Sequence, residues 1–250
     1  MNSNDELGAP SPAPAVPDAA GRVFPVERLA LAERYAGWLA DAGVVRGLIG
    51  PREVPRLWDR HILNCGALAT VLPQHGTVAD IGSGAGLPGL VVAIARPGLA
   101  VTLIEPLLRR TTFLAEVVED LGLANVEVVR GRADALHGRR VFDVVTSRAV
   151  APLGRLLEWS MPLVAPDGTL VAMKGSWVSG EVEEARPVLA RLGCAEPVVT
   201  EIGADVLASP TTCLEVAWAD PATVSLPPAR RPAGSGKKKH AQRDRRRTRD

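Results

Sequence analysis

The run Asp80-Ile81-Gly82-Ser83-Gly84-Ala85-Gly86-Leu87-Pro88-Gly89 constrains this chain more than any other segment. It joins an apolar stretch that reads as a strand, Thr77–Ile81, to one that reads as a helix, Leu87–Ala95. Glycine tolerates positive φ and lets the backbone turn sharply and approach a ligand, because no Cβ stands in the way. A strand, a glycine turn and a helix in that order form the opening of a βαβ unit, with its ligand beyond the C-terminal end of the strand. An ordinary tight turn is the competing reading.

The segments that follow keep the alternation. Strands are predicted at Ala100–Ile104, Val126–Val129, Val141–Thr146 and Thr169–Met173, the last after a Pro166-Asp167-Gly168 turn signal. Helices are predicted at Arg109–Leu121, Leu153–Met161 and Glu181–Leu192. Pro197–Ile202 and Cys213–Ala217 read as two closing strands, an antiparallel pair. Alternating strands and helices specify an α/β fold with a mostly parallel, seven-stranded, doubly wound sheet. Upstream, Val26–Ala42 carries an apolar face of Leu31, Tyr35, Trp38 and Ala42, and a second helix is predicted from about Pro55 to Val71. Together they read as an N-terminal helical cap. The expected organisation is a disordered lead over 1–21, the cap over 22–76, the sheet domain over 77–219, and a disordered linker and basic tail over 220–250.

Charge divides the chain. Residues 230–250 hold ten Lys or Arg and two Asp, a net of +8, whereas residues 1–229 hold 19 basic and 26 acidic groups, a net of −7. A basic tail on an acidic body suits a polyanionic partner, with a solvated extension as the plainer alternative. Cys65, Cys194 and Cys213 are odd in number and lack metal-ligand spacing, so neither a disulfide framework nor a metal site is expected. The most apolar stretch, 85–104, is broken by Pro88, Arg96 and Pro97, so no membrane span is expected. The segment Met1–Gly21 has no basic start and no apolar run, and does not read as a signal peptide. A reducing cytoplasm and a monomer are the expected setting.

Three successive strand ends carry groups suited to one nucleoside ligand. After the glycine turn, with Gly82, Gly84 and Leu87, comes Glu105 at the end of the second strand, where a carboxylate accepts ribose hydroxyls. After the third strand, Ala133 offers a backbone N–H and Asp134 an acid for an adenine edge, though Asp134 also reads as a solvated loop acid. Asp80, just before the turn, suits a sulfonium and ammonium better than a pyrophosphate. That favours S-adenosylmethionine over NAD, although Gly84 to Gly89 formally satisfies Gly-x-Gly-x-x-Gly. An NAD-dependent oxidoreductase therefore stands as the alternative, and a methyltransferase acting on another substrate as a second. At the fourth strand end stands Ser147-Arg148-Ala149, without the Pro-Pro turn of adenine-amine methyltransferases and without a cysteine nucleophile. Guanine N7 needs neither, since it offers a free lone pair and has no proton to remove.

The ordered set Arg60-His61-Ile62-Leu63, Leu87-Pro88-Gly89, Ser147-Arg148-Ala149 and Lys174-Gly175 resembles the bacterial ribosomal RNA small subunit methyltransferase G family, also known as glucose-inhibited division protein B. The resemblance covers roughly residues 25–218; Asn64 stands where that family often has aspartate. It implies a Rossmann-like S-adenosylmethionine-dependent methyltransferase fold and N7 methylation of a guanine in 16S ribosomal RNA, in the decoding-region loop of the 30S subunit. It also implies cofactor contacts at Gly82, Leu87, Ala133, Asp134 and Arg148. Arg60 and His61 are candidates for the substrate mouth, and Lys174 for a phosphate or guanine O6. Each has a plainer reading as a helix or surface residue. No catalytic residue beyond positioning is assigned. Trp177, just past the fifth strand, reads either as a helix-packing residue or as a stacking surface for an unpaired base.

Overall fold

The computed structural model describes residues 13–224. The basic tail and the first twelve residues lie outside them, so the expectations placed there stand as sequence readings. The seven strands are β1 (Gly76–Ile81), β2 (Leu99–Glu105), β3 (Val126–Arg130), β4 (Phe142–Arg148), β5 (Val164–Lys174), β6 (Val198–Ile202) and β7 (Thr211–Ala217). They form one sheet in the order β3-β2-β1-β4-β5-β7-β6. β1 to β5 pair in parallel, and β7 runs antiparallel to both β5 and β6. The order reverses between β1 and β4, and a crevice opens there beyond the strand ends.

The side-chain period of two divides the core. Val78, Leu103, Val144 and Val171 face one side, where they pack with the cap, α3 (Gly89–Ala95) and α4 (Leu108–Leu121). Ala79, Ile104, Val145 and Leu170 face the other, against α5 (Leu153–Ser160) and α6 (Val178–Leu192). The cap has no core of its own. Leu39, Leu57, Ile62 and Leu68 are buried in the same cluster as Leu90, Ile94 and Leu103.

Several segments differ from the sequence reading. The two cap helices are each broken. The first passes through a 3-10 turn, Val26–Arg28, into α1 (Leu29–Trp38) and then a π-helical segment, Leu39–Gly43. The second starts as a 3-10 turn with Pro55 inside it, widens to a π-helix over Leu57–Ile62 and continues as α2 (Leu63–Val71). Proline lacks the N–H for a regular ladder, which accounts for the irregular start of the second. Residues 13–21, expected to be disordered, instead pack on the cap. Ala13, Val16 and Ala19 contact the core cluster, Ala20 is buried, and Trp58 donates its indole N–H to the Pro14 carbonyl at 3.0 Å. Small apolar residues there cover the cap without large side chains. The Pro166-Asp167-Gly168 signal is not a turn before the fifth strand but an irregularity within β5, where the register with β4 shifts. A Cβ on Gly168 would lie 2.7 Å from the Asp143 carbonyl, so the close backbone approach requires glycine.

Candidate active site

The glycine turn is fixed from both sides. Gly82 and Ser83 donate N–H groups to the Ile104 carbonyl at 2.8 and 3.3 Å. Gly82, Gly84 and Gly86 have φ of +68°, +58° and +96°. A Cβ on Gly86 would sit 2.3 Å from Leu90 Cδ1 and 3.1 Å from the Tyr35 hydroxyl. Tyr35 comes from α1 and donates its hydroxyl to the Ala85 carbonyl at 2.9 Å, fully buried. The cap therefore buttresses the turn from beneath. The sequence placed Tyr35 in an apolar stripe; its hydroxyl was the one sign of a polar duty.

Asp80 does not face the crevice as the sequence reading expected. It shares the Val78 face of β1, is 0% exposed, and accepts the Gly89 N–H through Oδ2 at 3.0 Å. Its Oδ1 has no hydrogen-bond partner among the described residues. Burial raises its carboxyl to about 7, opposed by the Gly89 bond. Asp80 shapes the turn and the start of α3. Leu87 is half-buried against the same core cluster. Gly84 donates its N–H to Glu105 Oε2 at 3.0 Å, tying the turn to the end of β2.

A cavity of about 430 Å³ lies over the ends of β1 to β4. Gly82, Glu105, Ala133, Asp134 and Arg148 all line it, so the structure brings together five of the eight residues named for the cofactor. Glu105 is 1% exposed; its Oε1 accepts the Leu107 N–H at 3.1 Å and Oε2 meets Arg110 at 3.5 Å. Ala133 and Asp134 open a 3-10 turn, where first-turn N–H groups lack an intrahelical acceptor. The Asp134 side chain is exposed and lies 3.6 Å from Arg132 Nε. Trp159 and Leu107, which the sequence reading missed, close the walls, with Arg132 and Arg155 over the Trp159 ring at 5.8 and 5.4 Å. An aromatic on a helix remote in sequence gives no local sign of this.

A second cavity, of about 630 Å³, adjoins the first. Arg148, Ala149 and Val150 line both and form the wall between them. Ala149 takes φ +52°, a strained value for a residue with a Cβ. Arg148 crosses to the cap, with Nη2 donating to the Arg60 carbonyl at 2.8 Å and Nη1 3.3 Å from Cys65 Sγ. Burial pushes the Cys65 thiol up to about 11, so it is not a thiolate nucleophile. Lys174 lines the second cavity and is paired with Glu181 Oε2 at 2.6 Å. Arg60 and His61 line neither cavity, contrary to expectation. Both turn to Glu53, at 3.2 and 2.9 Å, and clamp the start of the second cap helix. Burial lowers the His61 imidazole, against the opposing Glu53 bond. What Arg60 contributes near the site is its carbonyl, not its charge.

No group of three or more His, Cys, Asp or Glu among the described residues is placed to hold a metal ion. No described helix is long and apolar enough to cross a membrane.

A parallel sheet with one antiparallel strand between β5 and β6, a glycine turn at the switch point and an acid ending β2 define the class of S-adenosylmethionine-dependent methyltransferases. The comparisons with known proteins narrow this to one family. The model described as GidB, rRNA small subunit methyltransferase G, matches residues 28–205, and the chain belongs to that family. It is 66% identical to the ribosomal RNA small subunit methyltransferase G of a Nocardioides strain, over 86% of each chain. It is 55% identical to the protein of the same name from Salinispora tropica, over 83% of this chain and 88% of that one. The Thermobifida fusca protein of that name is 52% identical over 80% and 85%. Family membership overturns the NAD-dependent alternative.

Proposed function

We propose that this enzyme transfers a methyl group from S-adenosylmethionine to N7 of one guanine in 16S ribosomal RNA, in the decoding-region loop of the 30S subunit. The observation that carries it is the pair of cavities sharing the Arg148–Val150 wall, in a member of a family named for ribosomal RNA methylation. Bound S-adenosylmethionine supplies an electrophilic methyl on a sulfonium.

The first cavity fits that cofactor. Gly82 admits close approach: its φ of +68° favours glycine, and a Cβ there would stand a tight 3.1 Å from Val150 Cγ2. Glu105 keeps a lone-pair site on Oε1 for a ribose hydroxyl, as a carboxylate accepts about four hydrogen bonds. The Ala133 and Asp134 N–H groups and the Asp134 carboxylate suit an adenine edge. Arg110 Nε, buried beside Glu105 and without a partner among the described residues, is one more donor for the cofactor. Asp80, Gly84 and Leu87 act by shaping the turn.

The second cavity takes the guanine. Methyl transfer to N7 requires two reactants in line and no proton abstraction, so the site works by positioning. Arg148 is held by the cap and does not contribute a base. The product purine is cationic, and the Glu184 carboxylate in the cavity favours that charge over a neutral ring. N7 faces the deep major groove of A-form RNA, so the target must be an unpaired, accessible base.

The test is transfer of labelled methyl from S-adenosylmethionine to 30S particles and 16S RNA from cells lacking the protein, followed by mapping of the modified nucleotide. A single N7-methylguanine in the decoding-region loop is the expected product. Transfer to another nucleotide, or none with the cofactor bound, refutes the substrate assignment.

A further inference from the structure

Trp177 stands apart from the other four tryptophans. Trp58 is buried, Trp38, Trp159 and Trp218 are half-buried, and Trp177 is 63% exposed at the edge of the second cavity. It precedes α6, and its ring rests on Gly180. A Cβ at 180 would stand 2.4 Å from Cε2, 2.5 Å from Cζ2 and 2.9 Å from Cδ2. Those distances put the Gly180 backbone against the flat of the six-membered ring. One face of the indole is thus backed by the first turn of α6 and the other is open.

The charges around it argue for what the open face meets. Lys174 is spent on Glu181, and Arg148 on the cap carbonyl of residue 60 and on Cys65. Glu184 adds negative charge. A base drawn out of its stack therefore finds little free positive charge among the described residues of this cavity. Its lost stacking has to be replaced by an aromatic surface, and Trp177 is the one aromatic in the lining. A lone indole among charged groups is too small an apolar patch for a protein interface.

We propose that Trp177 is a substrate-positioning residue whose open face stacks on an unpaired base of the RNA at the mouth of the second cavity. This rests on the RNA reading above. Stacking holds the base equally before and during transfer, so it acts on KM more than on kcat. Trp177→Ala raises the KM for 30S particles roughly ten-fold, with kcat and cofactor affinity within about two-fold and an unchanged melting temperature. Trp177→Phe keeps a ring and recovers most of that loss. Gly180→Ala keeps the indole but displaces it, and shifts KM toward the alanine value. RNA also quenches the fluorescence that separates wild type from Trp177→Phe.

A KM for Trp177→Ala within two-fold of wild type overturns the proposal, as does a loss of cofactor affinity and melting temperature in parallel, which marks a packing role. Failure of the RNA reading looks different: wild type itself then transfers no methyl to the particles, and the stacking proposal falls with it.

Discussion

At the first cavity the strand ends contribute small residues, Gly82, Gly131, Ala133 and Pro106, and one buried carboxylate already bonded to two backbone N–H groups, while Leu107 and Trp159 close the walls. At the second, the walls are long side chains from segments far apart in sequence, Asn64, Arg148, Lys174, Trp177 and Glu181. The first is organised before any ligand arrives. The second holds its charges in internal pairs that an incoming substrate must exchange. On the proposed assignment, a site for one small cofactor can be rigid, whereas a site for a base within a large RNA has to admit and release a bulky partner.

The largest expected effect comes from attacking the rigid half. Gly86→Ala forces an L residue to φ +96° and drives its Cβ into Leu90. Strain and overpacking together cost on the order of 2–5 kcal/mol, read by denaturant unfolding, and titration calorimetry should show cofactor affinity reduced by at least about ten-fold. Wild-type affinity in that variant would break the contrast. Next is Lys174→Ala, which leaves the Glu181 carboxylate without its cation in the second cavity, where it repels the RNA phosphates. It should lower kcat/KM for the RNA roughly ten-fold and leave the cofactor dissociation constant within about two-fold; a joint loss would show that the halves are not separate.

Asp80 gives a pH test of the turn's support. Its folded carboxyl, at about 7, lies above its unfolded value of 3.8, so the folded state binds the extra proton between those values. Stability from this group is fully present below the unfolded value and is lost as pH rises through about 7. Asp80→Asn should gain on the order of 1–2 kcal/mol relative to wild type between pH 4 and pH 8. The unpartnered amide adds a constant offset that does not alter this slope, and parallel stability curves would count against the buried, half-partnered carboxylate. Smallest is Tyr35→Phe, which removes the hydroxyl bond to Ala85. About 1 kcal/mol of stability and a few-fold of cofactor affinity should go with it. Thermal melts with and without cofactor measure both.

The legibility of the two halves follows the same division. Gly82, Glu105, Ala133 and Asp134 were readable because strand ends and glycine turns are local patterns, and a parallel sheet brings successive strand ends together. Asp80 was misread for a reason of one residue. The period of two in β1 puts it on the cap side with Val78, opposite Ile81, which lines the crevice. Arg60 and His61 were misread because Glu53, seven and eight residues back in the chain, competes for both. Nothing in a linear pattern says which acid wins a basic residue. Residues 13–21 looked like a disordered lead because their composition is small and proline-rich, yet that is what covers a cap whose own core is shared with the sheet.

The order of strands and helices, the glycine turn and the acid at the end of β2 are written in local pattern, since each depends on residues adjacent in the chain or spaced by the period of one element. The tertiary structure alone decided that Arg148 bridges β4 to the cap, that Ala149 and Val150 divide two cavities, and that Trp177 rests on Gly180 with one face open. Those outcomes depend on which distant side chains reach one another first. Packing and charge pairing settle that, and neither is written in any single stretch of the chain.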